Sequence, residues 1–149
     1  MATTVGNEGD FNSLITDLVY LERDAIAAYD STISHLSDAS FKSQVAQFKD
    51  DHLQHLEVLK EIADESGAVA PIEGDMKQML TTGKVALASL MGDGAILKAM
   101  KTNEDDTVTA YERASTHDDA NPRSKAFFEK ALADEQRHRD WMQRTAESV

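Results

Sequence analysis

Two stretches of the chain interrupt an apolar helical stripe with the same polar groups. Residues 22–29 read Glu-Arg-Asp-Ala-Ile-Ala-Ala-Tyr and residues 104–111 read Glu-Asp-Asp-Thr-Val-Thr-Ala-Tyr. Each glutamate has a β-branched aliphatic four positions on and a tyrosine seven on. Roughly thirty residues after each comes a second motif, Asp51-His52-Leu53-Gln54-His55 and then Asp134-Glu135-Gln136-Arg137-His138. Carboxylates can bridge or terminate divalent ions, and imidazole suits iron, zinc, copper or nickel. A carboxylate on one helix and a histidine-bearing pair on the next, given twice, is how a helical bundle builds a two-metal centre.

The spacing supports that chemistry. Residues three apart on a helix project from one face, so Glu135 and His138 can present oxygen and nitrogen to adjacent ions. Steps of three and four along each segment place Glu22 between Leu18 and Ala25, His52 and His55 between Phe48 and Leu59, Glu104 between Met100 and Thr107, and Glu135 and His138 between Ala131 and Met142. Those are core positions by periodicity. Buried charges are costly unless paired or bound to a metal, and six of them on four stripes need a common partner. On this reading Glu22 and Glu104 are terminal carboxylates, His55 and His138 terminal nitrogens, Glu135 a bridge and His52 a further nitrogen donor. Asp51 and Asp134 are placed to orient a histidine. Tyr29 and Tyr111 are placed to hydrogen-bond the centre or to serve redox roles. His35 and His117 stand alone and read as ordinary surface or hydrogen-bonded residues.

The elements that must position these groups are helices. With two prolines and seven glycines in 149 residues, the chain has room for long ones. The first starts after Asp10 or Asn12 and runs to about Leu36. The second follows the turn at Ser37, Asp38 and Ser40 and stops at Ser66-Gly67. Residues 67–75 form a connector, and a shorter amphipathic helix spans roughly Met76 to Met91. Asp93 is placed to cap a helix running to about Ser115, and Asn121-Pro122 starts the last one. Residues 1–9 read as a disordered tail, leaving 10–146 as one domain. Helices joined short, long, short, with helices two and three parallel, give the one-crossover topology of ferritin-like bundles.

The segments Leu-Glu22-Arg-Asp-Ala-Ile-Ala-Ala-Tyr29 and Leu-Ala-Asp-Glu135-Gln-Arg-His138-Arg-Asp-Trp141 resemble the first- and last-helix motifs of bacterioferritins and other ferritin-like di-iron proteins, including the rubrerythrin type. The third helix, with the amphipathic segment before it, resembles a smaller and little-characterised bacterial branch of that superfamily. The resemblance covers most of residues 10–146. It implies an all-α, ferritin-like left-handed four-helix bundle with one long crossover carrying a short extra helix. It also implies two iron ions as cofactor, with zinc or manganese as alternatives, and oxidation of ferrous iron by dioxygen or peroxide. Two departures matter. His52 stands where the family has a glutamate, so one bridging carboxylate is missing and the site holds three Glu and three His. The chain also lacks the extra C-terminal helix of cage-forming ferritins, so an iron-storage cage is not expected.

Composition narrows the classes that remain. The net charge of -12 would repel nucleic-acid phosphates. No cysteine is present, which excludes disulfides, thiolate zinc sites and iron–sulfur clusters. No basic and apolar leader opens the chain, and no apolar run approaches a membrane span, so a cytoplasmic protein is expected. Bundles of this kind often pair through helix faces. For a homodimer the candidate face is Val19, Leu21 and Ala28, beside the main stripe of the first helix. Three functions stay open: a di-metal oxidase, a non-catalytic zinc or single-iron protein, and a metal-free stress-associated bundle.

Overall fold

The structure, a computed structural model, describes residues 3–71, 86–87 and 89–149. Four long helices dominate them: α1 (Phe11–His35), α2 (Ala39–Ser66), α3 (Asp93–Ser115) and α4 (Pro122–Ser148). The ends are set by local chemistry. The Asp10 carboxylate accepts the Ser13 N–H at 3.0 Å, Asp38 accepts Ser40 and Phe41, and Asn121 accepts Ser124 at 2.8 Å, each satisfying an orphan donor of a first turn. Gly67 closes α2 at φ 77°, a left-handed conformation that glycine adopts without a Cβ penalty. The amphipathic helix expected from Met76 to Met91 lies almost wholly outside the described residues.

Asp93 departs from expectation. It sits inside the first turn of α3, and Gly92 caps that helix without a side-chain bond. The Asp93 carboxylate instead takes the backbone N–H groups of Ser37 and Asp38 at 2.8 and 3.0 Å. It thereby fastens the α1–α2 turn to the start of α3.

Such ties also fix the direction of each helix. The start of α3 lies at the end of α1, and His117, just past α3, reaches back to the Glu8 carbonyl before α1. Helices α1 and α3 are therefore antiparallel, as are α1 and α2 across their short turn. Arg123 at the start of α4 pairs with Glu61 and Glu65 at the end of α2, so α2 and α4 are antiparallel too. Packing occurs between α1 and α2, α3 and α4, α1 and α3, and α2 and α4. Helices α2 and α3 are thus parallel and diagonal, which requires the long connector to cross the bundle. The result is an all-α four-helix bundle with one crossover.

The connector runs over α1. Thr16 donates to the Val69 carbonyl at 2.7 Å and Arg23 to the Pro71 carbonyl at 3.0 Å. Val19, Leu21 and Ala28 are buried within the chain. The face proposed from sequence for a homodimer is not an exposed one. Trp141 is half-buried, edge-on to Phe41 and Phe48, rather than fully in the core.

Of the N-terminal segment, residues 3–6 lie against α3. Val5 is 1% exposed, and Arg113 of α3 donates to the carbonyls of Thr3 and Val5 at 2.9 and 3.0 Å. Gly6 passes so close to Arg113, at φ 100°, that a Cβ there would stand 2.4 Å from the arginine Cβ. The composition of this segment is polar, but one apolar anchor and one arginine clamp are enough to seat it.

Candidate metal centre

Each helix delivers its polar residues to the bundle axis about halfway along its length. Glu22, His52, His55, Glu104, Glu135 and His138 are all 0–1% exposed. They form two overlapping groups: Glu22, His52, His55 and Glu135, and then His52, Glu104, Glu135 and His138. Within each group, one ligand atom per residue lies within 4.8 Å of all the others. His52 and Glu135 belong to both. The six residues singled out in the sequence are therefore brought together, and the buried cluster could hold a metal.

The distances suit a shared ion better than a hydrogen-bond network. His55 Nδ1 lies 3.4 Å from Glu22 Oε1 and 3.3 Å from Glu135 Oε1. His52 Nε2 lies 3.5 Å from Glu104 Oε1 and 3.4 Å from Glu135 Oε2, and His138 Nδ1 lies 3.5 Å from Glu135 Oε2. Two donors about 2.1 Å from one ion stand about 3.4 Å apart at tetrahedral angles. Glu135 thus turns one oxygen toward each group. His52 Nε2, His55 Nδ1 and Glu135 Oε1 are buried without a hydrogen-bond partner among the described residues. Orphaned polar atoms of this kind are costly in a metal-free core and rare in proteins.

The outer groups are crossed between the two repeats. Asp51 on α2 bonds His138 Nε2 on α4 at 2.8 Å, and Asp134 on α4 bonds His55 Nε2 on α2 at 2.8 Å. Because a carboxylate only accepts, each histidine turns an N–H outward, and in the neutral ring its lone pair lies on the inward Nδ1. Tyr111 on α3 donates to Glu22 Oε1 on α1 at 2.6 Å, while Tyr29 on α1 donates to Glu104 on α3. Each tyrosine serves the glutamate of the other repeat. Arg137 spans the outer edge, donating to Asp51 at 2.9 Å and to Asp134 at 3.2 Å, with Lys130 also on Asp134.

Two breaks in the symmetry stand out. The first is His52, whose Nδ1 lies 2.7 Å from Glu22 Oε2. The second, not marked in the sequence reading, is Thr107. Its hydroxyl lies 2.8 Å from Glu104 Oε2 and 3.0 Å from Glu135 Oε2. The matching position in the first repeat is Ala25, which has no polar atom. A hydroxyl three residues after a core glutamate was the available signal.

Electrostatics follow from this crowding. Burial disfavours a charged His52, but Glu135 and Glu22 outweigh it and raise its pKa well above the ordinary value. Burial likewise opposes charge on His55, yet Glu22 and Asp134 push it up to about 11. His138 is raised in the same way, against burial, by Glu135 and Glu104. Burial and the neighbouring Glu135 carboxylate raise Glu104 to about 7. Glu135 stays well below the usual range because His52 overcomes the effect of burial. Burial holds both tyrosines protonated, reinforced by Glu104 at Tyr29 and by Glu22 at Tyr111. They act as hydrogen-bond donors to the carboxylates.

Comparison with known proteins gives a family and a fold. Residues 11–117 match a domain of unknown function, DUF2383. That match ends before α4, which supplies Glu135 and His138. No curated protein matches the chain. Among solved structures, a conserved hypothetical protein, rv2844, from Mycobacterium tuberculosis is similar over 93% of this chain and 91% of its own, at TM-score 0.78 and 19% identity. At that identity the likeness speaks for the shared four-helix fold. Among the described residues, no helix is long and apolar enough to cross a membrane.

Proposed function

The chain belongs to the DUF2383 family, and for this member we propose a divalent-metal centre between the four helices that oxidises ferrous iron with dioxygen or peroxide. The single observation that carries the reading is the convergence of orphaned, fully buried donors. Among the described residues, His52 Nε2, His55 Nδ1 and Glu135 Oε1 have no hydrogen-bond partner, and they stand at ligand-to-ligand spacing. The donor set fits iron: carboxylate oxygens with imidazole nitrogens, and no thiolate. Glu22, His55 and Glu135 would hold one ion, and Glu104, Glu135, His138 and His52 the other. The ions would supply electron exchange with the oxidant.

The chain's own residues do the rest. Asp51 and Asp134 fix the ring orientation of His138 and His55 and keep each inward nitrogen free. Tyr111 and Tyr29 hold the terminal glutamates in place by hydrogen bonds donated from their hydroxyls. The aromatic and aliphatic shell, including Phe48, Phe127 and Phe128, excludes bulk water. The resemblance of the Glu22–Tyr29 and Glu135–Trp141 segments to ferritin-like di-iron proteins supports the same chemistry.

The test is oxygen uptake on adding ferrous iron to the metal-free protein, alongside Glu135→Ala. Protein-dependent oxidation that is lost in the variant supports the proposal. Oxidation no faster than in buffer, with metal nonetheless bound, would favour the second reading, a non-catalytic zinc or single-iron site. That reading draws on His52, which removes one carboxylate from the redox centre.

A further inference from the structure

We propose that the two metal positions are unequal: the one formed by Glu104, Glu135, His138 and His52 fills first and more tightly, and Glu22 positions His52 for it. The inference rests on the metal-centre reading above and specifies it. His52 Nδ1 meets Glu22 Oε2 at 2.7 Å, and a carboxylate can only accept, so the ring proton lies on Nδ1. Once the ring is neutral, as metal binding requires, the lone pair lies on Nε2, which faces Glu104 and Glu135 at 3.5 and 3.4 Å and has no hydrogen-bond partner among the described residues. One neutral ring carries one lone pair, so His52 serves a single ion.

His138 completes that set. Asp51 takes its Nε2–H, and its Nδ1 faces Glu135 and Glu104 at 3.5 and 3.9 Å. The Tyr29 hydroxyl, 3.5 Å from the same nitrogen, gives its proton to Glu104. Two lone-pair nitrogens and two carboxylates therefore point at one place. The other position has His55, one oxygen of Glu135, and Glu22. Glu22 and Glu104 are alike in having both oxygens engaged, Glu22 by Tyr111 and His52 and Glu104 by Tyr29 and Thr107, so the difference lies in the nitrogens: two face the first position and one the second.

Thr107 supports the asymmetry independently. Its hydroxyl lies within hydrogen-bond distance of the Glu104 and Glu135 carboxylates and of the Glu104 carbonyl, and its single proton serves one of them at a time, placing a polar donor beside the favoured position. Ala25, its counterpart, does nothing of the kind for Glu22. Orienting contacts of this type are typically worth ~10–100-fold in metal affinity.

The experiment is an anaerobic titration of the full chain with cobalt(II), followed by d–d absorption and calorimetry. The expected result is one tightly bound ion per chain and a second at least ~10-fold weaker. Glu22→Gln, which keeps an acceptor for His52, should retain the one-ion stoichiometry and the spectrum with ~10–100-fold weaker binding. Glu104→Gln should alter the spectrum of the tight ion. His52→Glu should bring the second ion to comparable affinity. Two ions of equal affinity in the native chain, or a magnetically coupled pair across His52, would overturn the inference and leave the metal centre standing. No bound ion at any concentration would overturn both.

Discussion

Asp51 accepts the Nε2–H of His138 from across the α2–α4 seam, not from a histidine of its own helix, at 2.8 Å. Asp134 does the same in reverse for His55. The outermost carboxylate of each motif therefore sets the inward nitrogen of the other. The two motifs work as a pair, and neither helix hairpin carries a complete position by itself.

Asp51→Asn should lower metal affinity by ~10–100-fold, because an amide no longer enforces the outward N–H of His138 and withdraws negative charge from it. Asp134→Asn should act similarly at His55. Competition against a chelator of known affinity measures both. If the two variants bind metal as tightly as the native chain, the rings are oriented by packing instead.

The tyrosines test the metal-free state. Tyr111→Phe removes the hydroxyl that donates to Glu22 Oε1 in a fully buried site. A hydrogen bond to a charged group is worth about 1.5–3 kcal/mol, so urea unfolding of the metal-free variant should lose roughly that much. Tyr29→Phe should behave alike through Glu104. Unchanged stability in both would mean that the carboxylates find other donors.

Metal and protons compete for the same atoms, and the signs can be worked out. His52, His55 and His138 are all raised above the ordinary 6.5, and Glu104 above 4.5. Their contribution to the metal-free fold is complete below those ordinary values and is lost as pH rises, through about 7 for Glu104 and about 11 for His55. Glu22, Asp51, Asp134 and Glu135 are lowered, so their contribution is lost in acid. The metal-free protein should therefore be most stable in mildly acidic solution. Metal binding releases the ring protons, so its stabilising effect should grow toward about pH 8. Thermal melts with and without metal at two pH values measure this. A metal-induced gain in Tm that shrinks as pH rises would refute the competition.

The N-terminal segment makes a separate prediction. Gly6→Ala would place a methyl against the Arg113 side chain in a backbone conformation unfavourable to alanine. It should release residues 3–8 from α3, raising their amide exchange, while leaving exchange around the buried Glu and His cluster unchanged. Exchange in the segment equal to that of the native chain would contradict the packing described.

Much of this was legible in the residues. Stripes at three- and four-residue spacing placed Glu22, Glu104, Glu135 and the histidines inside the bundle, and Asn121-Pro122 and Gly67 marked helix ends through their intrinsic conformations. What sequence did not reveal depends on which helices lie side by side. Asp93 caps a neighbouring turn rather than its own helix because antiparallel packing puts the start of α3 beside the end of α1. The crossed Asp51–His138 and Tyr111–Glu22 bonds belong to helix pairs far apart in the chain. Val19, Leu21 and Ala28 looked like a spare face because they lie beside the main stripe of α1, and their burial depends on packing that the periodicity of one helix does not report. Val5 alone is too short an apolar signal to reveal a seated N-terminus.

The most direct test is metal analysis of the chain after anaerobic loading with ferrous iron and removal of unbound ions, beside a Glu135→Ala, His138→Ala double variant whose helicity is checked by circular dichroism. The account requires one to two irons per native chain and a clear loss in the folded variant. Iron content no higher in the native chain than in that variant would contradict it, and would leave the buried cluster as a proton-neutralised polar core.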